Sequence, residues 1–186
     1  QRRRLETVIG KYRDVFRGLG RAEGVRHSID TQGCPPLKQP SRRAPARQQE
    51  LLEVEVDRMK KAELIQESDS PWASPLVMTK KANGAMRFCV DYRKLNEVTA
   101  RPSYPLPPID ECLGALQGQE YFSTLDLGGG AWQIGMEPED RQKTAFATRS
   151  GLYEFRVKPF GLATAPATFN RLMELALRGL QWNRCL

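Results

Sequence analysis

At position 126 an aspartate stands between two leucines, after an apolar run and before three consecutive glycines; Tyr121 to Met136 reads YFSTLDLGGGAWQIGM. No other stretch restricts the fold as strongly. An ionised carboxylate loses its hydration if it is buried without a partner. Asp126 therefore sits at the exposed end of a strand, or a cation meets it, either a divalent metal or an arginine. The glycines break the rising run, and a second, aromatic-containing strand follows.

The charge bears on the partner. Residues 1–60 carry 14 Lys/Arg against 8 Asp/Glu, whereas residues 61–186 carry 15 against 14. Nearly all of the net charge of +7 thus lies in the front third. A polyanion would be attracted to it, although a solvated basic face explains the same bias. No run approaches the ~20 apolar residues of a membrane helix, and no signal-peptide pattern opens the chain, so no membrane partner is expected. Cys34, Cys89, Cys112 and Cys185 are scattered, without a C-x-x-C pair. That spacing argues against a zinc ribbon or a disulfide framework and for reduced thiols inside a cell.

Local patterns divide the chain into short elements. Val8, Tyr12, Val15 and Phe16 space a short helix that Gly18 and Gly20 end. Asp30-Thr31-Gln32-Gly33 carries an inserted glutamine that rules out the D-T-G turn of aspartic proteases. Residues 34–46 are too rich in proline for helix or central strand and read as an extended basic arm. A helix is expected from about Pro45 to Gln66, with Leu52, Val56, Met59 and Glu63 in line and basic residues toward its C-terminal end. Residues 76–81 and 86–92 flank an Asn-Gly turn signal and predict a hairpin with a basic tip. Ile109, Leu113 and Leu116 space another short helix, and a second hairpin turns at Ser150-Gly151. After a corner at 158–162, Thr164 is placed to cap a last helix that has Pro166 in its first turn.

Six strings occur in order: W-A-S-P-L-V (72–77), R-F-C-V-D-Y-R-K-L-N (87–96), Y-P-L-P-P-I-D (104–110), F-S-T-L-D-L (122–127), K-T-A-F (143–146) and P-F-G-L-A-T-A-P-A-T-F (159–169). Together they resemble the reverse transcriptase of Ty3/gypsy-type long-terminal-repeat retrotransposons, over about residues 27–186. The resemblance implies an α+β fold, the fingers and part of the palm of a right-hand polymerase, with an antiparallel sheet and helices. Residues 1–28 would be a leader, 29–101 fingers with the basic arm, 102–133 the first part of the palm, 134–163 the second part of the fingers and 164–186 the palm helix. The expected piece stops short of the family's Y-x-D-D hairpin and belongs to a Pol polyprotein that also holds thumb, ribonuclease H, integrase and protease. The implied setting is intracellular, a cytoplasmic virus-like particle or the nucleus.

The implied chemistry is RNA-directed DNA synthesis. A primer 3′-hydroxyl attacks the α-phosphate of a dNTP while two Mg²⁺ ions, or Mn²⁺ in their place, about 4 Å apart steady the attacking and leaving oxygens. By resemblance, Asp126 is the first metal ligand, with the carbonyl of Leu127 beside it. Lys80, Lys81 and Arg87 hold the triphosphate. Phe160 and Gly161 lie near the incoming nucleotide, and Arg93 and Asn96 on the side of the RNA template and primer duplex. Ala131 stands where relatives carry an aromatic ring beneath the sugar, so discrimination against ribonucleotides is expected to be poor. One aspartate cannot hold two ions, so the chain alone is expected to be inactive. The alternative is a catalytically dead, nucleic-acid-binding remnant of a retroelement; a plain α/β domain that binds nothing is the blandest reading.

Overall fold

The computed structural model describes residues 2–42, 44–80, 86–105, 107–182 and 184–185, without the side chains of Arg2, Lys80 and Arg87. The N-terminal helix α1 (Arg2–Lys11) and a 3-10 turn at Arg13–Phe16 form as the spacing predicts. Their apolar residues are not buried, however: Val15 is 73% and Phe16 62% exposed. The chain enters the core at β1 (Arg26–His27). Val25, His27, Ile29 and Thr31 point inward there, and Arg26, Ser28 and Asp30 outward, the two-residue alternation of a half-buried strand. The boundary expected at residue 28 therefore falls inside a packed segment.

Helix α2 (Ala46–Lys61) buries Leu52, Val56 and Met59. It ends earlier than its apolar spacing implies. Glu63 adopts φ +54, while Leu64 N–H bonds to Met59 O and Glu63 N–H to Lys60 O, both at 3.0 Å. This is a Schellman-type stop with glutamate where glycine is usual. Glu63 consequently lies outside the helix, and the chain reverses into β2 (Ile65–Glu67).

Strands β3 (Leu76–Lys80) and β4 (Met86–Val90) pair antiparallel from Leu76↔Val90 to Lys80↔Met86. The turn residues Asn83 and Gly84, and Lys81, lie outside the described residues. Helix α3 (Arg93–Val98) follows directly, and α4 (Ile109–Ala115) forms at the expected place. Strand β5 (Gly135–Met136) pairs parallel with β1. Strand β7 (Leu152–Phe155) lies between β2 and β6 (Phe146–Ala147), antiparallel to both, so the hairpin turning at 150–151 is present. Helix α5 (Ala165–Ala176) closes the fold. One apolar cluster joins α2, α3 and all three sheets, with Tyr92, Met136, Phe146 and Phe155 near its centre.

Two expectations are corrected. Residues 121–127 do not form a strand: no described strand pairs with them, and Tyr121 and Leu125 are 78% and 80% exposed. Apolar content alone does not make a strand without a lateral hydrogen-bonding partner. Thr164 precedes α5 but makes no capping bond with its side chain. Its hydroxyl is engaged by His27 instead, 3.2 Å from Nε2.

Candidate functional site

The residues from Lys158 to Thr164 form a corner between the sheet and α5. Phe160 projects from it, 59% exposed. Gly161 has φ +93, and an added Cβ would meet only ordinary contacts at 3.6 Å or more, so the backbone conformation is what selects glycine. Asn96, on α3, reaches this corner with both ends of its carboxamide. Nδ2 donates to Gly161 O at 2.9 Å, and Oδ1 accepts from Ala163 N–H at 2.8 Å. On the other side the rings of Phe160 and Trp132 lie 5.7 Å apart at 60°, and the Arg58 guanidinium covers Trp132 at 5.5 Å. Such ring and cation contacts stabilise an arrangement beyond its apolar burial. The geometry thus gathers Asn96, Phe160 and Gly161, with Ala131 next to the ring that braces Phe160.

Ala131 lies in a 3-10 turn, Gly130–Gln133. The three glycines before it do more than loosen the backbone. Gly129 has φ +61 and faces the Leu19 side chain, which a Cβ would crowd at 2.8 Å, and a Cβ at Gly130 would meet the Phe169 ring at 3.2 Å. The Gln133 amide also donates to Gly128 O at 3.0 Å. Asp126, a few residues upstream, is exposed, as is Leu127. Of the two resolutions open to a carboxylate between leucines, this chain shows the solvent-exposed one.

The Asp126 carboxylate and the Leu127 carbonyl are hard oxygen donors of the kind Mg²⁺ prefers. Among the described residues no three His, Cys, Asp or Glu side chains gather to hold an ion. The donors fit such an ion in kind and not in number. Lys80 and Arg87 belong to adjacent register pairs at the hairpin end, Lys80↔Met86 and Thr79↔Arg87; their side chains, and all of Lys81, lie outside the described residues.

Arg93 is not a free cation. Its Nε and Nη2 bond to the Asp91 carboxylate at 2.8 and 2.6 Å, and Arg42 Nη2 joins them at 2.8 Å. Hydrogen bonding from Arg93 holds the Asp91 carboxyl down to about 2, with Arg42 adding to it. Two guanidinium groups on one carboxylate leave a net positive surface, with Arg93 76% exposed. Beside Arg42 an open groove runs between α2 and β3, lined also by Gln49, Met78, Thr148 and Arg149.

The sequence reading missed two buried ionisable groups behind the corner. His27 is fully buried, with Nδ1 at 2.7 Å from Thr168 Oγ1 and Nε2 at 3.2 Å from Thr164 Oγ1. A neutral imidazole meets both hydroxyls with one nitrogen donating and one accepting. Burial, then the nearby charge of Lys158, lowers its pKa to about 4 against an opposing pull from Asp140. Lys158, 4% exposed, donates to Ala165 O at 3.3 Å and lies over the Phe169 ring at 5.6 Å; burial lowers it to about 8. The signal for His27 was available: it is the chain's only histidine, in register with Val25 and Ile29.

Comparisons with known proteins identify the family and the fold. The family model described as "Reverse transcriptase (RNA-dependent DNA polymerase)" matches residues 78–185. The chain is 44% identical, over 98% of its length, to the Retrovirus-related Pol polyprotein from transposon 297 of Drosophila melanogaster. It is 36% identical, over 94% of its length, to that from transposon opus of the same organism. The chain spans only 18% of the length of either relative. Among solved structures, native prototype foamy virus protease-reverse transcriptase superposes with a TM-score of 0.84 at 23% identity, covering 96% of this chain and 25% of that one. The foamy viral protein in complex with RNA/DNA hybrid gives 0.82 at 20% identity, covering 96% and 25%. At these identities the structural likeness speaks for the fold.

Proposed function

The chain belongs to the reverse transcriptase (RNA-dependent DNA polymerase) family, and from that premise we propose that it is the fingers and first palm part of a retrotransposon's RNA-directed DNA polymerase. Enzymes of this family generally use a divalent metal. The observation that carries the proposal is the family match across residues 78–185, a span that contains Asp126, Phe160 and Gly161.

In this reading the basic hairpin end grips the triphosphate, Arg87 as a planar fork and Lys80 and Lys81 as point charges. Phe160, exposed and braced by Trp132, offers its ring beside the base, and the Gly161 turn lets the backbone come close. Ala131 leaves the space under the sugar open. Arg93 and Arg42, sharing Asp91, present positive charge to the phosphates of the template. Asp126 and Leu127 would hold one Mg²⁺ together with carboxylates from elsewhere in the Pol chain; bound there, the ion would supply charge stabilisation to the reacting oxygens. Asp126, exposed and with no ligand cluster about it among the described residues, favours a second reading for the chain taken by itself, a nucleic-acid-binding piece without turnover.

Fluorescence anisotropy with a labelled RNA/DNA primer–template tests the proposal. Binding should weaken steeply between 50 and 200 mM salt, as phosphate-dominated contacts do. Undetectable or salt-independent binding refutes it. Primer extension with Mg²⁺ or Mn²⁺ should give no product from these 186 residues alone, and clear extension would overturn the inactive reading.

A further inference from the structure

The resemblance puts Asn96 among the template-side residues, yet its carboxamide is committed inside the chain. Its donor and its acceptor go to two different peptide groups, Gly161 O and Ala163 N–H, on either side of the buried Leu162. A planar group that donates at one end and accepts at the other sets both the distance and the orientation of the corner relative to α3. A carboxylate lacks the donor, and an aliphatic side chain lacks both.

The helix that carries Asn96 is itself anchored. Leu95 is 2% exposed in the core, Asn96 N–H bonds to Tyr92 O at 2.8 Å, and the buried Tyr92 hydroxyl donates to Thr144 O at 2.8 Å. The corner, by contrast, contains a glycine with many accessible backbone states. We infer that Asn96 is a positioning residue that locks the Phe160–Gly161 turn to α3 and so sets where Phe160 meets the nucleotide. What the turn contacts rests on the function proposed above; the lock itself does not. Residues three apart on a helix are neighbours, so Arg93 and Asn96 divide the work of α3: Arg93 faces solvent and phosphate, and Asn96 holds the turn.

The test compares the unsubstituted chain with Asn96→Leu, which removes both bonds, and Asn96→Asp, which keeps the acceptor. Hydrogen exchange is read at the Ala163 amide. It should speed up roughly tenfold in Asn96→Leu, taking two bonds near the low end of their usual net worth, and stay protected in Asn96→Asp. In parallel, dATP is titrated onto the chain bound to a chain-terminated RNA/DNA primer–template with uracil as the next template base. Both variants should raise the Kd for dATP about fivefold or more while duplex affinity stays within roughly twofold. An Ala163 amide unchanged in Asn96→Leu overturns the lock. Weakened duplex affinity with unchanged dATP affinity overturns the positioning role in favour of direct template contact. Should the unsubstituted chain bind neither duplex nor dATP, the proposed function fails, and the exchange experiment alone decides for or against the lock.

Discussion

Acid should destabilise this protein through His27 in a window that its burial sets. The folded pKa is lowered from 6.5 to about 4. Above pH 6.5 the imidazole is neutral in both folded and unfolded chains and costs nothing. Below it the unfolded chain binds a proton that the folded chain refuses, so stability declines as pH falls from about 6.5 to about 4 and levels off beneath. Lowering a pKa by that amount corresponds to roughly 3 kcal/mol, a large part of the total stability of a small domain. Carboxylates also titrate on the acid side, and Asp91 adds a loss of stability as pH drops from 3.8 toward about 2. His27→Gln separates the contributions, because glutamine offers both a donor and an acceptor to Thr164 and Thr168 without titrating. Urea unfolding followed by tryptophan fluorescence at pH 7, 6, 5 and 4 gives the free energies. The unsubstituted chain should lose about 3 kcal/mol more than His27→Gln between pH 7 and 4. Equal losses in the two proteins would refute the claim that His27 is held neutral.

Two further outcomes follow from the same corner and from the turn at residue 131. Lys158 is lowered from 10.5 to about 8 by burial, so its penalty is fully present below pH 8 and is relieved as pH rises toward 10.5. Lys158→Met should raise stability at pH 7 by about 2 kcal/mol, after allowing for the lost bond to Ala165 O, and should flatten the alkaline rise; a destabilised variant in urea unfolding would contradict this. In a polymerase that contains this segment together with the remaining Pol parts, Ala131→Tyr should increase the preference for dNTP over rNTP by about tenfold or more, measured by single-nucleotide incorporation. Unchanged preference would show that residue 131 does not govern sugar choice.

Much of the fold was legible because its signals are local. The flanks of the Asn-Gly signal pair as β3 and β4, the helical spacing of Leu52, Val56 and Met59 gives α2, and Thr164-Ala165-Pro166 starts α5. Each depends on residues only a few positions apart. The stop at Glu63 was not legible, because a left-handed glutamate carries no compositional mark. Nor was the failure of residues 121–127 to become a strand, since that depends on whether another segment lies beside them.

The sequence by itself determined the family and the order of most elements, and it put Ala131 and Asp126 on either side of the three glycines. Six ordered strings suffice for the family. Only the tertiary structure decided what the side chains do with their bonding groups. Asn96 turns inward to Gly161 and Ala163, Arg93 shares Asp91 with Arg42, and Thr164 faces His27 across 137 residues of chain. A hydrogen bond forms between groups a few ångströms apart in space, and separations of 49 to 137 residues along the chain leave no periodic trace from which to read it.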